Sequence, residues 1–453
     1  MSNIQMTTEV DSILNNYKSE FERSIQDAAG SPLADLRKAA MMRFLVKGFP
    51  KRYDEEWRFT DMRSIVETPF AIGGFEQQHL TAEQSGSALF PELKANRLVF
   101  VNGHYVPALS VLQELPEGMI IGSLAEMLST YPERITKALT QELVWGATPF
   151  TELNKAFVED GALIAIPNNA IVSDPILLVF IANPGAEATV SHPRTIVQAG
   201  SGSQATIIES YIGLSNTDSS SDSQMDHSIH YLTNAVTEIY ADENAVIDHY
   251  KLNQESSNAY HVANTLIELQ RSANFTSHNI TLGGLIVRND INAGLRGPGI
   301  ECTLNGLYMG RDRQIIDNHT AIDHAMPHCN SHEVYKGILN GWARGVFNGK
   351  IFVREDAQKT DAKQTNKTLL LSKEATIHTK PQLEILADDV RCTHGATVGQ
   401  LNADALFYLR TRGIGAEQAR AILTFAFAND IVNRIKVEPV RIALESALLN
   451  ELN

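Results

Sequence analysis

The sequence lacks several features that would assign it to a broad class at once. Its 453 residues contain only three cysteines, which lie far apart and do not make a disulfide framework. No apolar run reaches the roughly 18–20 residues of a membrane span, and the polar first residues contain no signal-peptide core. We therefore expect a cytoplasmic protein with free thiols and no membrane partner.

Positive charge and two enzyme signatures are also scarce or missing. The chain carries 38 Lys and Arg against 53 Asp and Glu, a net charge of −15, which argues against a nucleic-acid partner. No GxxxxGK[ST] motif is present, because Gly349–Ile351 lacks both the upstream glycine spacing and the following hydroxyl. No GxSxG motif is present either. We expect neither ATP hydrolysis nor serine hydrolase activity from this chain alone.

The first 150 residues are predicted to be helical or mixed. Apolar residues recur at one-turn spacing over Ile13–Ile25, and a second helix is predicted over Ser31–Gly48, with a Ser-Pro start signal and a glycine end. The charged segment Asp54–Asp61 surrounds Trp57. It is either a partner-contact surface or, as we prefer, a charged segment over a packed tryptophan.

Residues 151–400 are predicted to form a β body. Short β-branched runs begin near Gly161 and are broken by Gly, Pro, Asn and Asp. No helical stretch separates them, which argues against a doubly wound sheet. Small residues recur before extended segments, and Glu374–Thr376 precedes Gly395–Thr397 by 21 residues. This echo suggests a β-solenoid with rungs near that length, with a β-sandwich as the alternative.

Three finer expectations follow from this pattern. A 21-residue rung would place Cys392 above Leu371 and His394 above Lys373. The stretch 214–224 is too polar and small to pack, so it is predicted to be a loop. Residues 358–366 are polar but lie between strand-like runs, which suggests a rung whose amide and hydroxyl side chains bond to their neighbours. Helical periodicity returns over residues 401–453, which form the predicted C-terminal region.

Two groups of residues are candidates for chemistry. Four of the 14 histidines fall within 17 residues beside a cysteine, and these residue types suit zinc or iron. The possible metal ligands are His324, His328, Cys329 and His332. Their spacing matches no CxxC or HExxH site, so packing is the alternative, and a metal-storage protein would use this stretch.

The other candidates lie in the stretch 388–413, which is predicted to run from a strand through a turn into a helix. Alternation puts Cys392 and His394 on one face of that strand. They could share a ligand, line an interface or simply pack. Paired-carboxylate catalysis on a polysaccharide remains open, although no pair of acids is singled out.

Motifs spread over the whole chain resemble the SufB/SufD family of the Suf iron–sulfur cluster assembly system. The motifs are EWRFT at 56–60, PHC at 327–329, YKG at 335–337, RGVFNGKI at 344–351, QKTDA at 358–362, QTN at 364–366, LLLS at 369–372, KPQLEI at 380–385 and the stretch 388–413. In the SufB branch a glutamate typically follows the motif histidine, whereas here Gly395 follows His394. The chain therefore resembles the SufD branch, with the SufB branch as the alternative.

The resemblance implies a right-handed parallel β-helix between helical N- and C-terminal regions. It implies a non-enzymatic scaffold that pairs with a SufB-like paralogue, docks a SufC-like ABC ATPase and forms a homodimer when alone. No tightly bound cofactor is expected, only a transient iron–sulfur cluster on the complex. The family's functional histidine at the paralogue interface corresponds to His394, with Cys392 in the same motif. ATPase docking falls on about 405–435, with Phe407, Tyr408, Arg410, Arg412 and Gly413 as the predicted residues. A stand-alone β-helix carbohydrate-active enzyme is the alternative of a different class.

Overall fold

The computed structural model describes residues 2–27, 31–73, 80, 90, 92–140, 146–185, 187–214 and 229–452. Within them the α-helices are α1 Ser2–Asp27, α2 Ala34–Lys47, α3 Arg63–Val66, α4 Leu124–Thr130, α5 Pro132–Thr140, α6 Pro149–Phe157, α7 Ala403–Thr411, α8 Ala416–Val432 and α9 Glu438–Leu452. The strands are β1 Ala71–Ile72, β2 Asn96–Val101, β3 His104–Tyr105, β4 Ile120–Ser123, β5 Gly161–Ile166, β6 Ile176–Ala182, β7 Thr189–Ser191, β8 Arg194–Ala199, β9 Gln204–Gly213, β10 Tyr231–Ala241, β11 Val246–Gln254, β12 Ala259–Leu269, β13 Asn274–Thr281, β14 Ile286–Leu295, β15 Glu301–Gly310, β16 Ile315–His324, β17 Asn330–Leu339, β18 Arg344–Val353, β19 Asp361–Leu370, β20 Thr376–Ile385 and β21 Arg391–Gly399.

The long strands form a β-solenoid of about seven turns. From β8 onward, even-numbered strands belong to one sheet and odd-numbered strands to the other, and each pairs in parallel with the strand two places later. We call these the even sheet and the odd sheet. The parallel pairing confirms the solenoid and rules out the β-sandwich, whose two sheets are antiparallel.

The rung length predicted from sequence is wrong. Tyr260 pairs with Ile286 and Arg344 pairs with Thr376, so a rung takes between 26 and 32 residues from β10 onward. The 21-residue echo joined positions that are not equivalent, because residues 374–376 lead into β20 of the even sheet while residues 395–397 lie in the middle of β21 of the odd sheet.

The space between the two sheets holds the main core. Inward positions alternate with outward ones, as in β19, where Ala362, Gln364 and Asn366 are buried and Lys363 and Lys367 are exposed. The predicted polar rung is confirmed here, because the Gln364 amide donates to Glu333 at 2.8 Å.

The predicted N-terminal helices are confirmed, with Tyr17 and Phe21 of α1 buried. Helix α2 starts at Ala34, a little later than predicted, and ends where Gly48 adopts a φ of 66°. Trp57 is buried, which confirms the packed-tryptophan interpretation. The predicted polar loop lies outside the described residues from 215 to 224.

The C-terminal helices pack on the outer face of the odd sheet. Ala428, Ile431 and Val432 of α8 share a buried cluster with Leu252 and Ile280 of the odd sheet. The three cysteines are free, as expected. No helix in the described part of the chain is long and apolar enough to cross a bilayer.

Candidate partner interface at the open end of the solenoid

The solenoid has two different ends. At the N-terminal end, β3 and β4 pair antiparallel with β2 and β5 and so close the two sheets. At the C-terminal end, β20 pairs with β18 and β21 with β19, and no other described strand pairs with their outer edges. We call this the open end. Fewer residues are buried in the strand nearest this end. Strand β19 alternates between buried and exposed residues, whereas eight of the nine residues of β21 are exposed.

The outer edge of β21 presents free backbone hydrogen-bonding groups. The amide N–H of Arg391 donates to the carbonyl of Thr360, so alternate residues from Arg391 bond to β19. The backbone N–H and C=O groups of Cys392, His394, Ala396 and Val398 therefore face the free edge. An edge strand with this many open groups is a template for pairing with another chain.

Alternate residues of β20 likewise direct their backbone groups to the outer edge of the sheet. The N–H of Thr376 donates to the carbonyl of Ala343, so the backbone of Pro381 falls on the outer side of the strand. Proline lacks an N–H and is confined within sheets to positions where no ladder bond is lost. Pro381 is therefore typical of an edge strand.

The structure places Cys392 and His394 on one face of β21, as predicted, and the pairing register makes it the inward face. Cys392 pairs with Ala362 and His394 with Gln364, so neither Leu371 nor Lys373 is their neighbour as the 21-residue rung implied. With that register, the expected cationic neighbour of His394 is also lost. His394 is nevertheless exposed, because no further rung covers this end of the interior in the described part of the chain.

Cys392 is the more sheltered member of the pair. Its side chain packs against the small apolar cluster that contains Ile351 and Ala362. Burial raises the pKa of the Cys392 thiol, which keeps it protonated and weakens it as a nucleophile or ligand. The geometry favours a packing role for Cys392 and leaves His394 as the exposed member of the pair.

Helix α7 follows the open end almost directly. Asn402 caps it by accepting from the N–H of Ala405 at 2.9 Å, and Gly413, with a φ of +87°, ends it. No residue of α7 is buried, and the side chains of Phe407 and Tyr408 are exposed by 69% and 57%.

The basic residues predicted for docking lie beside these aromatics. Arg410 and Arg412 are exposed, and the guanidinium of Arg412 lies 5.2 Å from the ring centre of Tyr408. Exposed aromatic and arginine side chains are the types enriched at protein interfaces.

Helix α8 holds α7 to the body of the solenoid. Lys336 of β17 lies 2.8 Å from the carboxylate of Asp430 and donates to the backbone carbonyl of Phe427 at 3.0 Å. Lys436 also lies 2.9 Å from Asp248. The helices after α7 are thus fixed to the odd sheet, whereas α7 itself projects an unburied face.

The four possible metal ligands do not converge. His324 is buried with Nε2 2.9 Å from the Ser331 hydroxyl, and burial lowers its pKa to about 4. Buried Cys329 directs its Sγ to the carbonyl of Gly297. His328 lies in an exposed turn and His332 on the outward face of β17. Within the described ranges, no group of three or more His, Cys, Asp or Glu is arranged to hold a metal ion.

Sequence reasoning missed a charged cluster that ties the N-terminal region to the solenoid. We call Glu55–Thr60 the strap. The imidazole of His319 lies 3.2 Å from the Glu56 carboxylate and 2.9 Å from that of Asp317. Thr60 donates to Asp317 at 2.5 Å. The EWRFT motif was the available signal, but its contacts to Asp317 and His319 are more than 250 residues away in sequence.

Arg288 completes this cluster. It lies 3.8 Å from the ring centre of Trp57 and donates to Asp317 at 2.8 Å. The contact to His319 and the cation of Lys350 lower the pKa of Glu56 to about 2. Burial opposes the ionisation of Asp317, yet the charges of His319 and Arg288 lower its pKa to about 2.

The pKa of His319 moves in the complementary direction. Burial and Arg288 disfavour the imidazolium, but the carboxylates of Asp317 and Glu56 raise the pKa overall. The strap also reaches the open end, since Phe59 stacks on His378 of β20 with ring centres 4.1 Å apart and Glu55 pairs with Lys380.

Comparison with known protein families assigns the chain to a family. A family model described as the SUF system FeS cluster assembly SufBD core domain matches residues 180–427, and one described as the SufBD protein N-terminal region matches residues 9–178. The chain belongs to the SufBD family. This confirms the resemblance seen in the sequence motifs and supports a role in iron–sulfur cluster assembly over the carbohydrate-active alternative.

Similar proteins come from several bacteria. An iron–sulfur cluster assembly SufBD family protein of Synechocystis is 32% identical over 94% of this chain and 92% of its own length. The iron–sulfur cluster assembly protein SufD of Escherichia coli is 31% identical over 92% of both chains. SufD of Bacillus subtilis is 25% identical over 86% of this chain and 87% of its own.

Proposed function

We propose that this SufBD-family chain is a SufD-type scaffold subunit that completes an iron–sulfur assembly complex. In this proposal it pairs with a SufB-like paralogue through the open end and docks a SufC-like ABC ATPase through α7. The observation that carries the proposal is the open end itself. A strand of nine residues with a free edge presents His394 and leads within three residues into a helix with exposed aromatics.

The cluster is cargo in this scheme and not a resident cofactor. His394 contributes a side chain at the shared face, and Cys392 supports the local packing. A chain without a paralogue would cover the same edge with a second copy of itself, which gives a homodimer. Placement in the cytoplasm follows from the same proposal, because the partners are cytosolic assembly proteins.

Strand pairing at the open end is tested by one backbone substitution. Ala396→Pro removes an N–H that faces the free edge and leaves the bonds to β19 in place. We expect capture of the paralogue by the tagged chain to fall at least about tenfold, which corresponds to about 1.4 kcal/mol. Ala396→Ser keeps the N–H and is the matched control. Equal capture by the two variants would show that the paralogue binds elsewhere.

The role of His394 is tested separately. His394→Ala should leave complex assembly intact and reduce the yield of clusters formed on the reconstituted complex. His332→Ala, which removes an imidazole from the outward face of β17, should not change that yield. Unchanged cluster formation in His394→Ala would remove His394 from the proposal while leaving the pairing surface standing.

A further inference from the structure

A buried carboxyl and a buried amide lie in line with His394 along the odd sheet. Glu333 of β17 pairs with Gln364 of β19, and Gln364 pairs with His394 of β21. The three positions share the inward face, and neighbouring strands lie about 4.8 Å apart. His394 is therefore the exposed member of a column whose other two members are buried.

The inner two members are joined by a hydrogen bond. The Gln364 Nε2 donates to Oε2 of Glu333 at 2.8 Å. This bond turns the NH2 group of the amide towards Glu333 and the Oε1 atom away from it. Among the described residues, none donates to Gln364 Oε1, although Gln364 is 99% buried. His394 is the next side chain along the column, on the open side of that amide.

The opposite sheet makes room for this amide. A Cβ on Gly349 of β18 would come within 2.2 Å of Gln364 Nε2. Glycine at this position therefore allows the Gln364 side chain to lie across the interior in its bonded orientation. A side chain here would push the amide away from Glu333.

Among the residues that the structure describes, no cation fixes the charge of Glu333. Burial raises its pKa to about 7, and the opposing effects come from the Thr320 hydroxyl of the even sheet and from Gln364. The other ionisable groups that interact with it are Cys302 on β15 and Tyr335 on its own strand, both with raised pKa values. The carboxyl can therefore exist in either protonation state near neutral pH.

We infer that Glu333 and Gln364 are positioning residues for His394, with the carboxyl deciding which end of the Gln364 amide faces the imidazole. When Glu333 is ionised it accepts from Nε2, which leaves Oε1 to accept from an imidazole N–H. When Glu333 carries a proton, its O–H donates to Oε1 after the amide turns over, and Nε2 then faces outward as a donor. The first arrangement favours the imidazolium and the second favours the neutral ring.

This inference rests on the proposed role of His394 for its biological meaning, but its test does not. The probe is the isolated chain with ¹⁵N-labelled histidine, in which the His394 signals are identified by comparison with His394→Gln. The wild-type curve should show a second inflection where Glu333 titrates, as expected for coupled groups. The ¹⁵N shifts also report the tautomer of the ring.

The decisive variant is Glu333→Gln, which keeps the shape and removes the charge. We expect the ¹⁵N shifts of the His394 ring to lose the inflection that reports Glu333 and the tautomer balance to change, because the ionisable neighbour is lost. In a Gln364→Met background the same substitution should produce less than half of that change. Glu384→Gln removes an exposed carboxylate from β20 and serves as the control for charge alone.

The experiments distinguish failure of this inference from failure of the proposed role of His394. A wild-type His394 curve without a second inflection, together with the same tautomer in Glu333→Gln, would overturn the inference. Gly349→Ala gives a second route, since it displaces the amide without touching a charged group, and it should alter the tautomer balance of His394. If cluster yield does not depend on His394, the proposed function of that residue fails even where the coupling is observed.

Discussion

The two ends of the solenoid are built from the same kind of rung but differ in whether strands of the chain cover them. At the N-terminal end Phe100 and Phe180 stack in the interior with ring centres 5.1 Å apart, and antiparallel strands cover the sheet edges. At the C-terminal end Val398 occupies an inward position and is still 48% exposed. One end completes the fold within the chain, and the other leaves strand pairing and burial for a partner to complete.

The largest expected effect separates the ends by stability. Phe100→Ala should lower the free energy of unfolding by about 3–5 kcal/mol, because it removes a fully buried ring. Val398→Ala should change it by less than about 0.5 kcal/mol. Urea denaturation measures both at a protein concentration low enough to keep the chain monomeric. Similar losses of unfolding free energy for the two substitutions would show that the two ends are equally well packed.

A smaller effect is expected at the open end when the ATPase is present. Replacing Phe407 and Tyr408 together with serine should weaken capture of the ATPase at least about tenfold, because both exposed rings belong to the proposed docking face. The melting temperature should not change, since α7 has no buried residue. Tyr53→Ser removes an aromatic ring that is 79% exposed on the N-terminal region. Equal capture by this control and the α7 variant would place the docking site elsewhere.

The smallest effect concerns how the strap supports the open end and depends on pH. His319 has a raised pKa, so its contribution to stability is fully present below the ordinary histidine value and is lost as pH rises through the folded value. Glu56 and Asp317 have pKa values lowered to about 2, so their contributions are present above the ordinary carboxyl range and are lost as pH falls towards 2. All three contribute together near pH 5.5.

The corresponding experiment compares two pH values. At pH 5.5, His319→Gln should cost about 1 kcal/mol, because a charged hydrogen-bonding group between two carboxylates is replaced by a neutral amide. At pH 9 the difference from the wild type should shrink. His332→Gln should show no such trend. A constant difference across the range would mean that His319 acts by packing alone.

The sequence predicted the strands because the alternation of inward and outward side chains along a strand can be read from neighbouring residues. Short β-branched runs without intervening helices indicated closely spaced strands and argued against a doubly wound sheet, and strand parity placed Cys392 and His394 on one face. Rung length was not predictable in the same way, since corners of different length let a rung take between 26 and 32 residues, and small residues mark the corners of both sheets. The echo at Ala375 and Ala396 therefore looked like a repeat while joining different sheets.

Two features of the site required the three-dimensional structure. The residues of β21 are a plausible buried strand by composition, and their exposure follows only from their place at the end of the stack. The Glu56–His319 contact brings together residues that are 263 positions apart, which no local pattern predicts. The parity of backbone bonds that exposes the N–H of Ala396 likewise depends on the pairing register.

The short connection between β21 and α7 has a mechanical consequence. Only Gln400, Leu401 and Asn402 separate the strand from the helix, and a helix of nine residues is about 13 Å long. In the proposed complex, force applied at Phe407 and Tyr408 reaches His394 without crossing the core. A load along β21 shears all its bonds to β19 at once, whereas a load across the strand opens them one by one. The direction in which α7 is pulled therefore decides whether the histidine strand stays seated or peels away.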